Sequence, residues 1–324
     1  MAQTRATDGA DVPFLHHYDF SPFSEKVRVM LGRKGLAWRS VTVPSVMPKP
    51  ELTALTGGYR HVPVLQIGAD AYCDTRCIAR ELDRRWPEPP LSDPRVAALE
   101  TAIEAWVEGE LFWAIARFAS GVNAETVDPR LHVDRATLRG KPPPSIDRLK
   151  AVARRSLRTV RAALPAAAGL LAHGRPWLLS DAPGRADFAA YHTLWFLGAF
   201  EIDCSAELDP YPALRAWMAR MAAIGHGRPE PATAAESLAA AAAATPAPAR
   251  ASVDDDAMPA LGRRVAVRPD GYATEAVEGV LRHVDADDVS IGRTDPVLGE
   301  VTVHLPRIGY TMTEARDAST GGWT

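Results

Sequence analysis

The apolar positions of this chain change their period twice, first from strand to helix and later back again. The run "VPFLHHY" (12–18) is short and apolar, as a strand is, and Phe23, Val27, Met30 and Leu31 then recur at helical spacing. Ser21 stands where an N-cap belongs, with Pro22 at the first helical position, where its missing N–H costs nothing. Gly35, after Arg33 and Lys34, predicts the helix end. "WRSVTV" (38–43) predicts a second strand, and a Pro-rich connection follows it. "HVPVLQIG" predicts a third strand, with "ADAY" as a turn and short return. Ile78, Leu82 and Trp86 mark a further helix that Pro87 closes.

The order β-α-β-loop-β-β-α over residues 12–88 predicts a thioredoxin-like domain. From residue 93 the pattern turns helical: Leu99, Ile103, Val107, Leu111 and Phe118 fit one stripe and "IDRLKAVARRSLRTVRAAL" another. "GRADFAAYHTLWFL" and "YPALRAWMARM" predict two more helices, so residues 92–246 read as an all-α bundle. Residues 121–145 read as an unusually long loop, the kind that covers a site. Thr233 and Glu236 form a capping box before an alanine run, which is therefore expected to be helical. "PAPARASVDDDAMP" is a linker by composition. Beyond it, β-branched runs alternate with Asp, Gly and Pro turns, predicting a small β-barrel-like module over 258–312. The fold class is multi-domain α+β, without internal repeats.

Composition narrows the picture. At 324 residues, 47% apolar and 24% charged, the chain can bury two or three ordinary cores. A formal net charge of -3 gives no pull towards nucleic acid or an anionic membrane. The β module, with six arginines and eight acids between 260 and 310, does not read as a nucleic-acid-binding barrel. No apolar run of about 18 residues is present, and the start lacks a signal-peptide pattern. Cys73, Cys77 and Cys204 are too sparse for a disulfide framework, so a cytoplasmic location is expected.

"SPFSEKVRVMLGRKGL", "HVPVL" and "YCDTRCIARELDRRW" follow one another in the order and spacing of the cytosolic glutathione transferase superfamily, and "WLLSDAPGRADFAAY" resembles its capped helix, with Asp187 as the cap. The resemblance covers about residues 12–225 and is of the serine type, with a Ser-Pro-Phe active-site motif. It implies a homodimer that binds glutathione and attacks a small electrophile with its thiolate. By resemblance, the Val62–Pro63 bond is cis and exposes the Val62 N–H and C=O to the peptide, as a sheet edge does. Asp74 and Thr75 hold the γ-glutamyl end at a helix N-terminus. His61 reaches the glycyl carboxylate, Phe23 belongs to the same glutathione site, and Ser21 is the catalytic residue beside the sulphur. Ser24 and Tyr18 are its possible substitutes. Ser21 and Ser24 occupy the places of a thioredoxin's two cysteines, so thiol exchange is disfavoured against transfer or isomerisation.

Other readings stand beside these. Ser21 alone reads as a plain cap, and Trp106, Phe112 and Trp113 as core, although the resemblance puts an acceptor pocket near them. Cys73 and Cys77 lack a second pair and do not predict zinc; His16 and His17 point to opposite faces of a strand. No metal is expected. The rival functions are a non-catalytic glutathione-binding or scaffold protein, and a specialised glutathione-dependent isomerase or dehalogenase. The β module reads either as an appendage, packed on the helical domain, or as a lid.

Overall fold

The computed structural model describes residues 12–252, 259–271 and 276–315. β1 (Phe14–His17) pairs parallel with β2 (Ala37–Thr42) and antiparallel with β3 (Val64–Ile67), which hairpins into β4 (Asp70–Cys73). α1 (Pro22–Arg33) makes the crossover between β1 and β2, and α3 (Thr75–Arg85) follows β4. The connection between β2 and β3 holds a helix that the sequence does not advertise, α2 (Pro50–Thr56). Its N-cap, Lys49, makes no side-chain capping bond, and the prolines around it read as loop. This is a thioredoxin-like layer.

The helical layer contains α4 (Ala97–Trp106), α5 (Phe112–Val122), α6 (Pro129–Leu138), α7 (Ile146–Gly169), α8 (Arg185–Trp195), α9 (Ser205–Leu208) and α10 (Pro212–Ala223). A π turn, Val107–Leu111, joins α4 to α5, and Leu99, near the start of α4, is 56% exposed, so it does not belong to the buried stripe. α6 lies inside the expected long loop, with Asp128 as its cap and Pro129 in its first turn. α5 and α7 press together at Gly121, where a Cβ would come within 2.3 Å of the Leu149 carbonyl oxygen. Asp187, buried at the start of α8, accepts from the N–H groups of Gly184 and Leu178 and from Trp217 Nε1, as a cap should.

Residues 228–242, expected with the bundle, return to the first layer. β5 (Arg228–Ala232) adds parallel to the outer edge of β2, and α11 (Ala234–Ala242) begins with the expected Thr233–Glu236 box. The remaining strands are β6 (Arg264–Pro269), β7 (Val277–Val284), β8 (Asp288–Asp295), β9 (Gly299–Pro306) and β10 (Tyr310–Glu314). β10 folds back on β6, but β9 pairs in parallel with β4, through Asp70↔Thr302, Ala71↔Val303 and Tyr72↔His304. One ten-stranded sheet results, in the order β10-β6-β7-β8-β9-β4-β3-β1-β2-β5.

The C-terminal strands therefore pack on the thioredoxin-like layer, not on the helical one. Val265, Leu281, Ile291, Val301 and Val303 share a core with Leu52, Leu55 and Val64. Polar contacts fasten the seam. His304 Nε2 donates to Asp70 Oδ1 at 2.7 Å, its Nδ1 accepts from Ser290 Oγ at 2.8 Å, and its ring stacks on Tyr72. These three side chains have the composition of a hydrolytic triad. Ser290 and His304, however, face each other in strands with neighbours on both sides, so their backbone N–H groups serve the ladders rather than an oxyanion. The trio is a seam.

Candidate functional site

A cleft of about 930 Å³ opens between the thioredoxin-like layer and the helices. Ser21, at its floor, is 2% exposed, and its Oγ accepts from Ser24 N at 3.2 Å, capping α1. Among the described residues its own O–H has no acceptor. Phe23, the second residue of α1, lines the cleft, edge-on to Phe112 with ring centroids 4.9 Å apart. Ser24 does not line it: the side chain is fully buried and its Oγ has no partner among the described residues. Tyr18 lines it and accepts from Arg135 Nη2 through its hydroxyl at 3.2 Å.

The Val62–Pro63 bond is cis. Val62 precedes β3 and lines the cleft, and its N–H and C=O enter no hydrogen bond among the described residues. His61 is held neutral: burial, with Arg60, Lys49 and Arg135 nearby, pushes it down to about 4. Lys49 is buried there too, its Nζ on the Arg60 carbonyl at 2.8 Å, and burial plus the charges of Arg135 and Arg60 push it down to about 8.

Asp74 caps α3 through Arg76 N at 2.9 Å, with the backbone at φ 73°. Its other carboxylate oxygen accepts from Tyr310 Oη at 3.2 Å, and Tyr310 in turn takes a hydrogen bond from Tyr59 at 3.0 Å. Burial raises both phenols well above their ordinary range, so they stay neutral donors. Thr75, next along α3, accepts from the fully buried Lys26 at 3.3 Å. Lys26 pairs with Glu104 at 2.5 Å and Glu108 at 2.6 Å, and Glu108 also accepts from His192 at 2.9 Å. Burial alone would raise the Glu108 carboxyl, but Lys26 and His192 outweigh it and hold it down to about 2. Glu108 sits in the π turn, a feature often found at functional sites.

Of the residues singled out from sequence, Tyr18, Ser21, Phe23, His61, Val62, Pro63, Asp74, Thr75, Phe112 and Trp113 meet in this one cleft. Ser24 and Trp106 do not; Trp106 packs on the core of the helical layer. Sequence reasoning missed Lys49, Arg60, Arg76, Arg135 and Tyr310, which also line it. Lys49 and Arg60 flank motifs already noted; nothing local marks Tyr310. Among the described residues no group of three His, Cys, Asp or Glu side chains is placed to hold a metal, and no helix is long and apolar enough to cross a membrane.

Comparison with known proteins agrees with this geometry. The glutathione S-transferase N-terminal domain model matches residues 15–90, and the C-terminal domain model matches residues 126–224. No curated protein sequence matches the chain. Among solved structures, a GST-like protein from Pseudomonas syringae is 34% identical with a TM-score of 0.75, over 94% of this chain and 100% of that one. Such a share takes in the C-terminal strands as well. A glutathione S-transferase from Sinorhizobium meliloti 1021 shares the fold, with a TM-score of 0.52 at 21% identity, over 70% of this chain and 92% of that one. With both domain models in register on the observed layers and a relative similar along its whole length, this chain belongs to the glutathione S-transferase family.

Proposed function

We propose that this chain is a glutathione-dependent transferase that stabilises the thiolate and presents it to a small electrophile lying against the helical layer. The open N–H and C=O of Val62 pair with the cysteinyl unit. Asp74 and Thr75, at the start of α3, take the γ-glutamyl end. Neutral His61 offers a hydrogen bond to the glycyl carboxylate and Lys49 a charge. Ser21 already accepts from Ser24 N, so its proton is available to the sulphur. A free thiol has a pKa near 8.5; bringing it down by about two units needs roughly 2.7 kcal/mol, within reach of one hydroxyl donor and a positive helix end.

The thiol proton passes to solvent, and a sulphur electron pair forms the new S–C bond. In substitution the leaving group departs with the electrons of the bond that breaks. In addition to an activated double bond, the displaced pair takes a proton from water. One observation carries this reading: the Ser21 hydroxyl, the unspent Val62 backbone and the α3 cap come from three separate segments into one cleft. The homodimer and the cytoplasmic location belong to the same proposal.

The test is Ser21→Ala. The apparent pKa of bound glutathione, followed by thiolate absorbance, should rise by about one unit or more, and turnover at neutral pH should fall about tenfold, with affinity little changed. A variant with unaltered thiol pKa and turnover overturns the role of Ser21, and a loss carried instead by Tyr18→Phe or Ser24→Ala reassigns it.

A further inference from the structure

The cleft is both roomier and more basic than a tripeptide requires. Its 930 Å³ or so lies near the top of the usual range for small-molecule sites, roughly 300–1,000 Å³. Although the whole chain carries a formal charge of -3, eight Arg and Lys side chains line the cleft against three carboxylates, Asp74, Glu108 and Asp270. Part of that excess is neutralised locally. Asp134 takes Arg60 and Arg135, Asp74 takes Arg76, and Arg139 lies over the Trp113 ring at 5.1 Å.

Lys49 donates to the Arg60 carbonyl, whereas Arg117, Lys141 and Arg148 are exposed and form no ion pair among the described residues. They come from α5, from the connection before α7, and from α7 itself, and all three line the same cleft. α5 and α7 meet closely at Gly121 and Leu149; Arg117 stands one turn before Gly121 and Arg148 is next to Leu149. Three exposed like charges on the wall of one cleft make it favourable to a negative charge. Beside them the wall is aromatic: Trp113 packs edge-on to Phe112, which stacks with Phe196. A flat apolar body fits there and a charge fits at its end.

We propose that the electrophile is an anion, a flat and largely apolar molecule bearing a carboxylate, phosphate or sulfonate, lying along Phe112 and Trp113 with its charge at Arg117, Lys141 and Arg148. This rests on the glutathione reading above, and a binding test keeps the two separate because it needs no turnover. Titration calorimetry on the full chain compares three ligands: glutathione, its S-dinitrophenyl conjugate, and the same conjugate with a carboxylate on the ring.

At low ionic strength the conjugate with the ring carboxylate should bind about tenfold more tightly than the one without it, and the preference should shrink as salt screens these exposed charges. Arg117→Gln combined with Arg148→Gln should bring the two conjugates to within about threefold of each other. If that variant fails to fold, the salt dependence of the unaltered chain decides. Equal binding, or a preference for the conjugate without the ring carboxylate, overturns the inference and leaves the glutathione reading intact. Failure to bind all three ligands overturns the glutathione reading and the inference with it.

Discussion

Asp74 adopts φ 73°, a region that residues other than glycine enter at a cost of order 1–3 kcal/mol. Arg76 and Tyr310 hold it there, one at each carboxylate oxygen. Tyr310 thus positions the α3 cap, and it comes from the last strand in the chain. Tyr310→Phe is expected to weaken glutathione by about 1 kcal/mol, and Asp74→Ala by about 1–3 kcal/mol, in calorimetric titration. The double variant should lose less than the two losses added, since Tyr310 acts through Asp74. Strict additivity would detach Tyr310 from the site. Asp74 and Ser21 were legible as caps in the sequence because capping is a local code, whereas Thr75 takes its hydrogen bond from Lys26 rather than capping α3. Tyr310 was not legible, because its partner lies 236 residues away and no spacing rule spans that distance.

Among the elements, α1 packs on α8 and adds a buried cation to that join between the layers. Lys26 is fully buried and compensates both Glu104 and Glu108. Lys26→Met would leave two carboxylates buried without it, and is expected to lower stability by about 3–5 kcal/mol in thermal or denaturant melts. Glu104→Gln with Glu108→Gln in that background should recover part of the loss; no recovery would place the defect in packing rather than charge. The pH dependence has a definite sign. Glu108 is held at about 2 against an ordinary 4.5, so its contribution is complete above 4.5 and fades as pH falls towards 2. Helices with strong caps and long apolar stripes, α1, α3 and α8, were readable from sequence. α2 was hidden by its prolines and uncapped start, and α6 by its position in a polar stretch that resembled loop.

At the scale of the whole molecule, the C-terminal strands are part of the sheet that builds the site. The linker composition around 246–259, of which residues 253–258 lie outside the described residues, predicts cleavage there. The β4–β9 ladder and the shared core predict that the nicked pieces stay together in gel filtration. A fragment ending at residue 250 should lose glutathione binding and aggregate, because it bares the β4 edge and the apolar face of α2. Two pieces that separate and each stay folded would overturn this. The strands themselves were legible from their alternation, but their docking was not: it depends on an edge that any strand can offer and on apolar residues far off in sequence. The order of pairing also bears on how the chain is made. β4 is complete before residue 80 leaves the ribosome, yet its neighbour β9 follows more than two hundred residues later. β2 likewise waits for β5. The β2 rim stands open until β5 is made and the β4 rim until β9 is made, so the sheet has a high contact order and the nascent chain depends on whatever shields those rims in the meantime.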